Sequence, residues 1–241
     1  MSEEKIIKHT TKAVRIVTDK KLSLQQKLKE IALEIVIIVF AVSITLMFHN
    51  WNDARHEHEI EIAFLKGIKE DLTAEADKLD GNIRNFQPVV DFYNTAWKQI
   101  KENKIDPAFF DRNVSQLTNT SYYVADNGRF EGFKSSGYLR LIQNQQLVKD
   151  LMSLYTIDMP FQEQIDKNLF AERSADYDRY VGIKGVTDSS GTHISRLLND
   201  PAVRYLIIRY VTSFNERKQQ QAALAEEIRQ VVLEIDKELN K

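Results

Sequence analysis

The chain contains no cysteine, which excludes disulfides, a thiol nucleophile and thiolate metal sites but does not choose a compartment. Proline (four) and glycine (eight) are scarce in 241 residues, so helix breaks are few, and no glycine-rich phosphate loop is present. An excess of positive charge is also missing. The formal net charge is −2, which leaves no electrostatic footprint for nucleic acid. The one place where a hydroxyl and an imidazole lie close together, Ser189-Ser190-Gly191-Thr192-His193, lacks a glycine-flanked serine and reads as a loop capping a helix near Ile194. With no catalytic pattern and no cofactor motif, the chain reads as a non-enzyme.

What is abundant is Glu, Lys, Leu, Ile and Gln, which favours helix throughout. The chain is organised around Ile31–Trp51, IALEIVIIVFAVSITLMFHNW. Its uncharged run, Ile35–Phe48, is short for a span, but Ile31–Leu33 extend it across Glu34, and Trp51 stands where an interfacial aromatic would. As a helix the stretch would measure about 31 Å, enough to cross the hydrocarbon of a bilayer. Met47–Asn52 lacks the small residues at alternate positions that a signal peptidase requires, so the segment is expected to stay attached.

Charge gives an orientation. Residues 1–30 carry Lys5, Lys8, Lys12, Arg15, Lys20, Lys21, Lys27 and Lys29 against Glu3, Glu4, Asp19 and Glu30, while the chain beyond Glu34 is mildly acidic. By the positive-inside rule the basic flank stays in the cytoplasm and the larger part faces outward. Residues 5–17 place Ile6, Ile7, Ala13, Val14 and Val17 near one helical face, as in a basic amphipathic helix on anionic lipid; a basic tail that only enforces topology is the alternative.

Beyond Trp51 the pattern stays helical. Phe64, Leu65, Ile68, Leu72, Ala76, Leu79, Ile83 and Phe86 form one stripe, with Gly81 expected to weaken the helix and Pro88 to kink it or start another. Val89, Phe92, Tyr93, Trp97 and Ile100 continue the stripe to a break at Ile105-Asp106-Pro107. Residues 108–129 read as irregular, with Ser121–Val124 strand-like but isolated. A short helix is expected to end at Ser136-Gly137 and another to start on Asn144, with Leu147, Leu151, Leu154 and Tyr155 inward. A separate helix over about 161–180 takes Ile165, Leu169 and Tyr177 as core positions. Gly182–Thr192 reads as a loop. The last helix starts at Pro201, and Ile207, Tyr210, Phe214, Arg217, Gln221, Leu224, Ile228, Val231 and Ile235 lie close to a coiled-coil heptad seam with a polar middle. Its natural partner is the helix leaving the membrane. The fold class is therefore all-α: one N-terminal transmembrane helix (31–51) after a cytoplasmic basic tail (1–30), followed by an elongated extracytoplasmic helical bundle (52–241) with long antiparallel membrane-proximal helices.

These residues also carry a likeness. Glu34 opening a span of branched aliphatics, the Asn50-Trp51-Asn52-Asp53 boundary, Phe64-Leu65, Asp71-Leu72, and then Phe133, Ser136-Gly137, Leu139, Ile142 and Asn144 resemble an uncharacterised family of small bacterial single-pass membrane proteins. The likeness covers about 27–79 and 130–155. The tail before the span is longer than in that family, and the C-terminal third is similar only in being helical. The resemblance implies an anchored periplasmic helical domain in the bacterial cytoplasmic membrane and brings no activity or cofactor.

Three groups of residues are candidate sites. Glu34, Ala41 and Thr45, with Ile38, share a helix face; it would pack a second span, from another copy or another membrane protein, unless Glu34 simply reaches the cytoplasmic interface. Asn50, Trp51, Asn52 and Asp53 mark the membrane boundary. Tyr123, Phe130, Phe133, Ser136, Gly137 and Tyr138, with Tyr122, are either distal core or the lining of a pocket or docking patch. His49, Asp53 and His56 could face one way toward zinc, but three ligands on one helix rarely close a site, and no metal is expected. Two functions follow: a membrane-anchored scaffold whose outward domain docks a partner or oligomerises, or a ligand-sensing domain. In the second case residues 1–30 are too few to hold an output domain, so a signal would pass through a separate partner.

Overall fold

The computed structural model describes residues 24–119, 122–182, 187–188, 191–192 and 194–241. The basic tail over 5–17, most of the Gly182–Thr192 loop and the Ser189–His193 segment lie outside the described residues, apart from a two-residue antiparallel pairing of Thr187–Asp188 with Gly191–Thr192. Apart from that pairing, the regular elements of the described chain are helical. It divides into two compact units, Met1–Glu61 and Ile62–Lys241.

Helix α1, Leu24–Glu102, supplies residues to both units. In the first, it is the one helix among the described residues long and apolar enough to cross a membrane. Val36, Phe40, Met47, Phe48 and Trp51 on one side of the helix, and Ile35, Val39 and Leu46 beside them, leave more than half of their surface open, so the exposed apolar surface covers most of the helix rather than one stripe.

In the second unit, α1 does what its stripe predicts. Phe64, Leu65, Ile68, Leu72, Ala76, Leu79, Phe86, Val89, Phe92 and Tyr93 are buried, and Ile83, Trp97 and Ile100 are partly open. Pro88 corrects one expectation, because the helix continues through it to Glu102. Arg84, the residue whose carbonyl loses its donor, is exposed, as is Pro88, so water can replace the missing bond while Val89 and Val90 hold the next turn in the core. Gly81 likewise sits inside continuous helix. The real stop is Asn103, left-handed at φ 51°, with Lys104 N–H donating to Gln99 O at 3.0 Å.

Short elements follow. Asp106 caps α2 (Pro107–Arg112) by accepting from Ala108 N–H, an element the irregular reading of 108–129 missed. Helix α3 (Gly128–Ser135) ends where Gly137 turns left-handed at φ 75°, as expected. Asn144 caps α4 (Gln145–Ser153) by accepting from Gln146 and Leu147 N–H, and Leu147, Leu151, Leu154 and Tyr155 are buried. Helix α5 (Met159–Tyr177) is not separate: a π turn over Leu154–Asp158 joins it to α4. The wider turn suits Pro160, which has no N–H for the carbonyl four residues back.

Helix α6 (Pro201–Leu239), capped by Asp200, buries every seam position from Ile207 to Ile235. It runs antiparallel to α1. Tyr93 meets Tyr210 (ring centroids 5.8 Å), Asn94 meets Asn215 (3.1 Å), Lys218 meets Gln87 (2.8 Å), Arg229 pairs with Asp80, and Lys69 pairs with Asp236 (2.6 Å), so low numbers on one helix meet high numbers on the other.

Candidate functional site

The residues singled out from the sequence do not converge on one site. Among the described side chains of 25–60, Glu34 is the one that is buried, at 3% exposed. Ala41 and Ile38 are half-buried, and the Thr45 hydroxyl is used within its own helix, donating to Ala41 O at 2.8 Å. Asn50, Trp51, Asn52 and Asp53 are exposed. His49 Nε2 lies 3.4 Å from Asp53 with both side chains in solvent, and His56 is exposed. No group of three or more potential ligands for a metal is found among the described residues.

The aromatic group divides into three packing arrangements. Phe133 stacks on Phe64 (centroids 3.5 Å) and meets the edge of Tyr138; Phe130 stacks on Tyr155 (4.5 Å); Tyr123 is fully buried beneath Lys78 (5.7 Å from its ring). Ser136 donates to Phe133 O at 2.7 Å, which with Gly137 closes the turn. Tyr123, Phe130 and Phe133 are core, and Tyr122 and Tyr138 are the members left exposed.

The most unusual chemistry lies on α5, on a face the apolar pattern did not reveal. Ile165, Leu169 and Tyr177 are only partly buried, and the buried positions are Gln162, Asp166 and Arg173 beside Met159. Asp166 accepts five hydrogen bonds. Arg217 grips it with Nε and Nη2, both at 2.9 Å, and Gln162 Nε2, Gln221 Nε2 and the backbone N–H of Tyr123 each donate at 2.8 Å. Arg217 also lies over the face of Phe86, 4.3 Å from its centroid. This explains the strand-like segment around Tyr123. It is extended but has no partner strand among the described residues. Its N–H groups are taken by carboxylates of neighbouring helices instead: Tyr123 by Asp166, Ala125 by Glu163 (3.2 Å) and Asp126 by Glu75 (3.2 Å).

Two turns further along α5, Arg173 is buried (4% exposed) in a different setting. It donates through Nη2 to Asn119 O and lies over Phe214 and Phe86, 5.3 and 5.9 Å from their centroids, while Nη1 has no hydrogen-bond partner among the described residues. Burial pushes its pKa below the usual guanidinium value, with the Arg217 cation acting in the same direction. Arg173 lines two cavities. One, with a volume of about 10 Å³, room for about one water, runs along Phe86, Asp166, Leu169 and Arg217. The other, about 40 Å³ on the same measure, is walled by Phe92, Tyr93, Phe110, Leu117, Tyr177, Val203, Leu206, Ile207 and Tyr210, with Asp176 at its edge. Asp176 accepts from the Tyr210 hydroxyl (2.6 Å) and from Arg209 (3.5 Å). Burial raises both the Tyr93 and Tyr210 phenols well above their usual value, Tyr210 further through its bond to Asp176, so both are neutral donors at ordinary pH.

Sequence reasoning noted Arg217 in the seam but missed Asp166, Gln162 and Arg173. The signal was there: Gln162, Asp166 and Arg173 fall on one helical face at steps of four and seven, and Arg217 and Gln221 repeat the step of four on α6. Polar residues in core register on two helices mark a shared buried network.

Comparison with models of protein families, with curated proteins and with solved structures finds no match to this chain. The class defined by the geometry alone is, over the described residues, a helical protein with one helix apolar enough to cross a membrane and a helical unit with a buried polar centre.

Proposed function

We propose that this chain is a single-pass protein of the bacterial cytoplasmic membrane, with its N-terminus in the cytoplasm and residues 62–241 outside, that holds the helical unit at the membrane for a protein partner, either a second copy or another membrane protein. The resemblance to an uncharacterised single-pass family belongs to this proposal. The observation that supports it is the apolar surface of α1 between Leu28 and Trp51, open over most of the helix apart from the Glu34, Ile38 and Ala41 face, which in water would expose more apolar area than a soluble helix carries and in lipid has its natural solvent. The basic flank supports the orientation. Because the chain has no cysteine, single cysteines report topology cleanly. A membrane-impermeant maleimide should label Ala74→Cys on intact cells and Ser2→Cys only after lysis; the reverse pattern overturns the orientation. In-membrane crosslinking with mass spectrometry should recover a discrete partner. A crosslinked species unchanged by Glu34→Gln and Ala41→Leu would remove the Glu34 face from the interface.

A second reading is favoured by one specific feature, the cavity with an under-bonded cation at Arg173. Residues 62–241 would then sense a ligand and change the pairing of the anchor.

A further inference from the structure

We propose that the cavity beside Arg173 binds a small apolar monocarboxylate, with its carboxylate on the Arg173 guanidinium and its apolar body among Phe92, Val203, Leu206 and Ile207.

The first ground is charge. Among the described residues, the buried charged side chains of this unit are Glu75, Asp166, Arg173 and Arg217. Arg217 bonds Asp166, while Glu75 accepts from Lys78 and the Asp126 N–H. Asp166 is fully engaged, since a carboxylate offers about four lone-pair positions and five donors already converge on it. It has nothing left for Arg173. Asp176, the other acid near the cavity, is taken by the Tyr210 hydroxyl and Arg209. Arg173 therefore has no carboxylate among its hydrogen-bond partners in the described residues, and is a buried cation short of acceptors.

The second ground is shape. The cavity has mainly aromatic and aliphatic walls and few polar groups, the composition of a site that orients a small organic molecule through one polar end. Arg173 is the cation on that wall, and its Nη1 is a donor with no partner among the described residues. The guanidinium and its surroundings together select the ligand. A monoanion answers one guanidinium, whereas a phosphate or other dianion would place a second negative charge beside Asp176. A fully hydrated inorganic anion would gain nothing from the apolar walls.

This goes beyond the anchoring proposal and supplies the ligand chemistry on which the sensing reading rests; binding and signalling are read separately. The experiment uses the full chain in nanodiscs, with hexanoate and benzoate as probes and hexanamide and benzamide as their neutral counterparts, at constant ionic strength. The carboxylates should raise the unfolding temperature progressively with concentration in the millimolar range, and the amides should not. Arg173→Gln should weaken carboxylate binding by at least about tenfold. Leu206→Trp, which fills the cavity and leaves Arg173 in place, should abolish it. Equal shifts from amides and carboxylates, full binding by Arg173→Gln, or no carboxylate binding at millimolar concentration would overturn the proposal. Should Arg173→Gln not fold, the carboxylate–amide difference on the natural chain and the Leu206→Trp variant decide it. Carboxylate binding that leaves in-membrane crosslinks unchanged would sustain the site and sink the sensing reading alone.

Discussion

Two buried charges on α5, Asp166 and Arg173, stand two helical turns apart in contrasting surroundings. Asp166 meets a bidentate guanidinium, two side-chain amides and a backbone N–H, so its desolvation is answered by charge-assisted bonds on both oxygens. Arg173 has the Asn119 carbonyl, two aromatic faces and the edge of a cavity. The difference separates structural burial from functional burial. A saturated network ties α5, α6 and the extended segment at Tyr123 into one register, whereas an under-bonded cation facing a cavity adds little to the fold and is more readily understood as a contact for something else.

The comparison makes unequal forecasts for two arginines of similar burial. Arg217→Met removes both charge-assisted bonds to Asp166 and strands a buried carboxylate, which should cost about 3–5 kcal/mol. For a unit of this size that lowers the unfolding temperature by roughly 10 °C. Arg173→Met removes one carbonyl contact and an unmatched charge while keeping an apolar stem against Phe214. Its effect on stability should stay within about 1 kcal/mol, with a gain as acceptable as a loss. Thermal unfolding of both variants without added ligand checks the pair. If the two lose the same stability, Arg173 is as structural as Arg217 and the distinction fails.

How much of this was legible depended on whether local pattern or distant partners decided the outcome. The apolar stripe of α1 from Phe64 to Tyr93, the Asn144 cap, the left-handed Gly137 and the seam of α6 are local signals, and each stands where the sequence reading put it. Pro88 was misjudged because the cost of a helical proline depends on whether the deprived carbonyl meets water, and solvent exposure is a tertiary fact. The core face of α5 was misjudged because hydrophobic periodicity assigns the inside to apolar residues. Ile165 and Leu169 fit that rule, but Asp166 and Arg173 are the deeply buried positions. Only the matching polar register on α6 could have shown that. The aromatic residues at 122–138 could be counted but not paired from sequence, since Phe64 and Tyr155 come from far along the chain.

A third acid–charge environment sharpens the contrast at smaller scale. Glu234 on α6 is half-buried, and its pKa is raised, first by burial and then by Asp150, with Lys237 pulling the other way. A carboxyl whose folded-state pKa exceeds its unfolded value is best tolerated when protonated. Its contribution is most favourable below the unfolded value and is lost as pH rises through the folded one. At neutral pH Glu234 is therefore a mild liability, in the opposite sense to Glu163, whose pKa is lowered by its bond with Lys167 and which loses its contribution as pH falls. Glu234→Gln should stabilise the chain at pH 7 by less than about 1 kcal/mol, raising the unfolding temperature by roughly 1–3 °C. That advantage should shrink as the pH is lowered toward 4, because the natural carboxyl then takes up its proton and becomes neutral like the amide. A gain that persists unchanged at pH 4 would trace to helix propensity or packing. A loss at pH 7 would show that Lys237 outweighs Asp150, and that even a partly buried acid on this interface is matched as Asp166 is.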